Sequence, residues 1–378
     1  MMVTYLDHAA STPMRHEAIE AMTPFLDNLY ANPSGSHRFA RVARKALDEA
    51  RDVVAEALGC NAGEVIFTSG GTEGDNSAVL GTVRKLGGVA VCTATEHHAV
   101  LHCVEHVDGV VVKVNNVGSV DLDDLARVLQ EATPDKPITV VSVMAVNNEV
   151  GTITPMRDVA RIVRKHAPNA LLHTDAVQAA CWLDLREITP LVDALSLSAH
   201  KFGGPKGVGI MVLKAGKQLE PMIFGGGQER DRRSGTHNVA GIIGAATALH
   251  FTDITRADEI ERVTKLRDRL VDDIVAALPD VLETVPRENR VPGVAHLCIK
   301  GIESEALLFL LDQADVCASA ASACASGAME PSHVLAAMGL SREWTNGALR
   351  LSLGHTTTDA DIDTAVRTIV SAVTQLRR

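Results

Sequence analysis

The sequence predicts an α/β protein: a large, mostly parallel seven-stranded sheet covered by helices, joined to a smaller α+β unit. Three observations predict it. Short apolar runs rich in Val and Ile recur at Val65–Phe67, Val89–Thr93, Val110–Val114, Ile138–Val143, Ala170–Thr174, Ala194–Ser198 and Val208–Leu213. Segments with helical apolar spacing separate them. After about residue 255 that alternation stops and a different rhythm takes over.

Strands and helices that alternate call for parallel strands buried on both faces. The helix before the first run carries Val42, Ala46, Val53, Val54 and Ala57, and Gly59 is its C-cap. Beyond residue 255 a charged amphipathic helix spans Glu259 to Leu278. It leads to a strand at Val294–Lys300, a short helix at Glu305–Asp312 and a strand at Ala348–Leu353. The last helix opens with Thr358 and Asp361 at capping-box spacing, with Asp in place of Glu. It sets Ile362, Val366, Ile369, Val373 and Leu376 on one face. The expected division is a large unit over 15–255 and a small α+β unit over 1–14 and 256–378. No repeat or low-complexity segment interrupts either.

Composition sets the class. The 378 residues are 46% hydrophobic and 22% charged, enough for a substantial core. The net charge of −11 and the lack of a long Lys/Arg run argue against direct nucleic-acid binding. The opening MMVTYLDHAASTP has no charged leader before an apolar run, so no secretory signal is expected. No 18-residue apolar stretch occurs, so no membrane span is expected. The seven cysteines (60, 92, 103, 181, 298, 317 and 324) are odd in number, scattered and free of C-x-x-C pairs. That is not a disulfide framework, and it suits the cytoplasm.

In open α/β sheets ligands bind beyond the carboxyl ends of the strands. The residues there form a constellation. After Val65–Phe67 comes Thr68-Ser-Gly-Gly-Thr-Glu-Gly-Asp-Asn76, whose paired glycines and Thr72 make a phosphate cup at a helix start. Taken alone, it reads equally as a glycine turn with a Thr cap. After Val89–Thr93 comes Glu96-His97-His98, where His97 can lie on a flat ring. A rival reading takes His98, His102 and His106 as one metal-binding helix face, but no H-E-x-x-H accompanies it, and no metal is expected. Asn147-Asn148-Glu149, Asp175 with Gln178, and Ser198-Ala-His200-Lys201 follow the next strands. Any one of these is ordinary loop polarity. Together they place an acid, an amide, an imidazole and an amine on one rim.

Pyridoxal phosphate needs that set. A carboxylate such as Asp175 keeps the ring nitrogen protonated, and Lys201 offers an amine for the Schiff base. Thr72, Ser198 and His200 can bind phosphate, and Gln178 can bond the ring hydroxyl.

TSGGTEGDN, TEHHAV, VNNEVG, HTDAVQ, SLSAHKFGGPKG, GGGQERDRRSGT and ALRLSLG, in this order, resemble the NifS/IscS-type cysteine desulfurases. These are class V aminotransferase relatives with the fold-type-I architecture of pyridoxal-phosphate enzymes. The resemblance runs from Tyr5-Leu-Asp-His-Ala-Ala to the last helix. It implies Lys201 as the Schiff-base lysine, Asp175 at the ring nitrogen, His97 stacked on the ring and Gln178 at its hydroxyl. It implies Gly71, Thr72, Ser198 and His200 at the phosphate, and Thr236 reaching the phosphate of a neighbouring subunit in a homodimer. Asn148 and Arg350 would hold the substrate carboxylate, a task that suits the guanidinium fork.

The resemblance also implies the nucleophile, Cys324, in Ser319-Ala-Ala-Ser-Ala-Cys324-Ala-Ser-Gly-Ala-Met-Glu-Pro331, 26 positions before Arg350. By composition alone a Cys among alanines is a small core filler. Cys317 does not match the motif position. The implied reaction turns L-cysteine into L-alanine and leaves a persulfide on Cys324 for an acceptor protein. Two departures stand out. Ala320-Ala321 replaces the family's usual Ser-Gly, which stiffens the backbone. The chain stops at Arg378, whereas housekeeping members continue into a scaffold-docking segment. The second departure counts for a dedicated acceptor, serving nitrogenase or other iron–sulfur assembly, tRNA thiolation or DNA phosphorothioation. A selenocysteine lyase or another class V aminotransferase-like enzyme would share the cofactor machinery.

Overall fold

A computed structural model describes residues 3–320 and 332–378. The first strand, β1 (Thr4–Tyr5), belongs to a separate two-stranded sheet and not to the one that follows it in the chain. The main sheet comprises β2 (Val65–Thr68), β3 (Val89–Thr93), β4 (Val110–Val112), β5 (Ile138–Ser142), β6 (Leu171–Asp175), β7 (Ala194–Ser198) and β8 (Gly209–Leu213). Its spatial order is β2-β8-β7-β6-β5-β3-β4. β3 through β7 pair in parallel, and β8 runs antiparallel to β2 and β7. All seven expected strands are present, and the sheet is mostly parallel.

The strands read as continuous apolar runs because both faces are covered. Val141, Leu172, Leu195 and Val212 point into one core, and Val140, Leu171, Ala194 and Met211 into the other. The helix Arg38–Leu58 covers the first core and ends at Gly59 in the left-handed conformation (φ 66°). Its buried stripe is Ala43, Leu47, Ala50, Val54 and Ala57. Val42, read from sequence as core-facing, is instead exposed.

The helix expected at Glu259–Leu278 is the second half of a longer one, Val239–Ala277, which runs unbroken through residue 255. Its first half is buried nearly all round, at Val239, Ala240, Ile242, Ala245, Ala246, Ala248 and Leu249. Burial on every side removes the polar face that periodicity needs.

A second core lies beyond. Strands β9 (Val281–Glu283) and β10 (Val294–Ile299), the short β11 (Val316–Cys317), and β12 (Ala348–Ser352) follow in the chain. β12-β10-β9 form an antiparallel sheet. Leu270, Ile274, Leu297, Leu349, Leu351, Ile362 and Ile369 fill this core, together with Leu6 from the N-terminal segment. β1 pairs in parallel with β11, and Asp7 bridges to Ser352, so the chain's opening residues are built into this region. The last helix, Asp359–Leu376, has the capping box read from Thr358 and Asp361. Among the described residues no helix is long and apolar enough to cross a membrane.

Candidate active site

The carboxyl ends of β2, β5, β6 and β7 open into one cavity of ≈ 200 Å³. Gly71, Thr72, His97, Asn148, Asp175, Gln178, Ser198, His200, Lys201 and Arg350, all singled out from sequence, line it. Their spread over 280 positions of chain is closed by the fold alone.

Each side chain is placed by its element. Lys201 ends the single 3₁₀ turn that follows β7, and Asp175 is the last residue of the adjacent β6. The Lys201 amine donates to the carbonyls of Ala9 (2.6 Å) and Ala10 (2.8 Å). Burial brings its pKa down to about 8; Arg350 pushes it further down, while Asp175 and Asp7 pull the other way. Asp175 is buried. One of its oxygens accepts from the Val177 N–H at 2.8 Å. Burial raises its pKa to about 6, against the pull of that hydrogen bond and of Lys201.

At the other end of the cavity the helix Gly71–Leu86 begins. Its bare N–H groups and partial positive charge make an anion cup. Gly71 is required there, since a Cβ would lie 2.5 Å from the Val177 side chain. Ser198 and His200 border the same cavity. His97 caps the helix His98–His106, with Nδ1 accepting from the Ala99 N–H at 3.1 Å. That fixes the Nδ1 lone pair toward the backbone and leaves the proton on Nε2. His97 faces the open cavity, yet protein crowds it, and burial and then Lys201 push it down to about 4. It is a neutral ring at pH 7, fit to stack on another flat ring.

Arg350, on β12, is not an open fork. It donates to the Asn148 carbonyl (2.8 Å) and to Asp7 (2.8 Å), and its Nε is buried without a partner. Asn148 therefore meets Arg350 through its backbone. Gln178 donates to the Ala9 carbonyl at 2.9 Å.

Sequence reading missed several groups. Asp75 lines the cavity at 1% exposure. Burial, and then the charge of Asp175, raises its pKa well above the usual carboxylate range. Its Oδ1 has no hydrogen-bond partner among the described residues and lies 3.6 Å from the His173 Nε2. Beneath them Ser142, His173 and Ser196 form a cross-strand chain with bonds of 2.8 and 2.9 Å. Glu96 is fully buried. It accepts from Thr93 and the Met144 N–H, and burial pushes it up to about 8. Both acids sat inside quoted motifs, but nothing in a sequence distinguishes a buried carboxyl from a surface one.

Of the remaining expected residues, Thr236 does not line this cavity. Thr236 is exposed, on a segment tied to the phosphate cup through Arg233 and Glu73 (2.9 Å). Cys324 lies outside the described residues. Its flanks are anchored beside the cavity: Ser319 bridges to Arg350, Ser332 bonds to Glu149, and His333 bonds to the Glu96 carbonyl at 3.0 Å. The rival metal face forms a stack instead. His98 lies 4.7 Å from both His102 and His333, ring to ring. No cluster able to hold a metal ion occurs among the described residues.

These residues fit pyridoxal phosphate. The cavity brings together an anion cup, a buried acid, a low-pKa amine and a neutral imidazole. Comparison with known proteins identifies the family. The aminotransferase class-V family matches residues 4–365. The IscS-like cysteine desulfurase of Mycobacterium tuberculosis is 41% identical, covering 100% of this chain and 98% of that one. Cysteine desulfurase IscS of Dictyoglomus turgidum is 40% identical over 99% of this chain and 95% of its own length. A solved NifS-like protein superimposes with a TM-score of 0.91 at 34% identity, covering 99% of this chain and all of the other. The chain therefore belongs to the class V aminotransferase family and, within it, to the NifS/IscS cysteine desulfurase group.

Proposed function

We propose that this chain is a pyridoxal-phosphate-dependent cysteine desulfurase that converts L-cysteine to L-alanine and carries the sulfur on Cys324. The observation that supports it best is the meeting of Lys201, Asp175, His97, the Gly71–Thr72 cup and Arg350 in one cavity. When bound, pyridoxal phosphate supplies an electron sink for the carbanion left when the substrate Cα gives up its proton. Asp175 would hold the ring nitrogen, and Gly71, Thr72, Ser198 and His200 would hold the phosphate. His97 would cover the ring, and Gln178 would meet its hydroxyl. Arg350 and Asn148 would orient the substrate carboxylate. Lys201 would anchor the cofactor and, once released, move the Cα proton. The Cys324 thiolate attacks the substrate sulfur, the carbon–sulfur bond breaks, and the sulfur stays on Cys324 as a persulfide. Cβ takes up a proton in place of the sulfur, Lys201 returns a proton to Cα, and alanine leaves.

The anchored flanks of residues 321–331 support delivery of Cys324 to this cavity. A homodimer with Thr236 at the neighbouring site is part of the reading, and exposed Phe224 on the same segment supports it. So are a cytoplasmic location, a sulfur-acceptor protein, and a division into 15–255 against 1–14 with 256–378, supported by the two separate cores. The test is direct. Cys324→Ser should keep the yellow, cofactor-bound protein and form no alanine from cysteine. Lys201→Ala should lose borohydride fixation of the cofactor. Full alanine formation by Cys324→Ser, or fixation in Lys201→Ala, overturns the proposal.

A further inference from the structure

A second, smaller cavity lies behind Lys201, and nothing in the proposed reaction uses it. Lys201, Gln178, Val177 and Ala9 line both cavities and so form the partition between them. The second has a volume of ≈ 40 Å³. That holds a few waters or one small ion and excludes a second organic ligand.

Its wall is charged, and the charges do not cancel. Arg15, Arg256 and Glu259 line it together with His8 and His355. Glu259 is already engaged, since Arg262 donates to both its oxygens at 2.7 and 3.2 Å. Arg256 is engaged with Asp253 and the Ala180 carbonyl. Both imidazoles are neutral at pH 7. Burial pushes each to about 4, helped by His355 in the case of His8 and by Arg15 in the case of His355. Arg15 remains. It has no ion pair among the described residues, and its Nε is buried without a hydrogen-bond partner. Arg15 thus lines the chamber as a cation without a countercharge, a state that an anion in the chamber relieves.

The placement of Arg15 is built in. Its stem lies across Gly203, two residues after Lys201, where φ is +86° and a Cβ would fall 2.6 Å from the Arg15 Cγ. Only glycine combines that backbone with that approach. Across the chamber Trp182 packs flat on Gly293, where any Cβ would collide with the indole. The room and the cation are therefore both consequences of backbone choices.

We propose that this chamber binds one compact monovalent anion of halide size on the Arg15 guanidinium, directly behind Lys201. Such an anion gives Arg15 the countercharge it lacks among the described residues. Its charge sits on the far side of Lys201 from the cofactor and favours the protonated form of the lysine nitrogen.

Bromide is the probe, and the holoenzyme is the sample. Crystals soaked in bromide should show an anomalous peak in the chamber, within hydrogen-bond reach of Arg15. In solution, the pH midpoint of the cofactor's visible band should rise by roughly 0.5–1 unit in bromide relative to gluconate at equal ionic strength. Arg15→Met should lose both effects. Arg15→Lys, which keeps the charge, should retain the shift and guards against a misfolded Met variant. Absence of bromide from the chamber, or an equal shift in Arg15→Met, overturns the proposal. Either result leaves alanine formation from cysteine untouched, so this inference and the proposed function fail separately.

Discussion

The cofactor cavity has two walls, and they are held in opposite ways. The sheet wall carries Asp175, Ser198 and Lys201 at the ends of neighbouring strands, fixed by β-ladders and backed by the buried Ser142–His173–Ser196 chain. The facing wall carries Asp7, Ala9, Ala10, Asn148 and Arg350, drawn from distant parts of the chain. Hydrogen bonds across the cleft tie it to the sheet wall, as where Lys201 and Gln178 donate to Ala9, and Arg350 holds Asp7 and Asn148 together within it. The sheet wall is rigid and prepaid. The bonds of the facing wall can be exchanged for bonds to a ligand. In the proposed function, cofactor electronics belong to the first wall and substrate capture to the second.

The largest effect should come from the sheet wall. Asp175→Asn keeps the shape and removes the charge. It should cut kcat by on the order of 10²–10³-fold, the usual loss when a preorganised electrostatic partner is removed. The pH dependence of cofactor binding checks the same residue. Burial raises Asp175 to about 6, so the carboxylate is present above that pH and protonated below it. Apoprotein affinity for pyridoxal phosphate should fall as pH drops through about 6, and that step should vanish in Asp175→Asn. A step that persists in the variant would assign it to another group.

Arg350→Lys probes the facing wall. It keeps the charge and loses the fork. The KM for cysteine should rise by on the order of 10- to 100-fold, the worth of one hydrogen bond to a charged group. Cofactor content should not change. If cofactor is lost instead, the two walls are not separable in the way described. Arg350→Gln tests their electrical contact, because Arg350 helps depress the Lys201 pKa from across the cleft. The pH at which apoprotein captures cofactor through a neutral amine, about 8 in the native chain, should move upward in that variant.

The two walls also differ in how far the sequence revealed them. Strands β2 through β8 were legible as apolar runs, and the rule of strand carboxyl ends led from them to Asp175, His97 and Lys201. On the facing wall, Asn148 was reached as a strand-end residue, while its role and the place of Arg350 came through resemblance. Asp7 and Arg350 are 343 residues apart, and the carbonyls of Ala9 and Ala10 have no side-chain signature. Asp75 and Glu96 lay in quoted motifs, yet their proton affinity comes from burial, which a sequence does not display. The helix Val239–Ala277 was seen only where it has a wet face. What was missed is what depends on tertiary contact.

The smallest effect is the most informative about the facing wall. Asp7 is 22% exposed at the side chain and occupies one arm of Arg350 at 2.8 Å. It is either a rival of the substrate carboxylate or a brace for the guanidinium. As a rival, its removal frees the arm and leaves Arg350 without a countercharge. Asp7→Asn should then lower the KM for cysteine by about two- to fivefold, the worth of a partly exposed ion pair. As a brace, its removal lets Arg350 drift, and KM should rise with kcat falling alongside. The buried, unpartnered Nε of Arg350 favours the rival reading, because it shows that the guanidinium's donors outnumber the acceptors now around it. An incoming carboxylate displaces Asp7 and satisfies the fork from the cavity side. A fall in KM with kcat unchanged supports that exchange, and a joint loss of both refutes it.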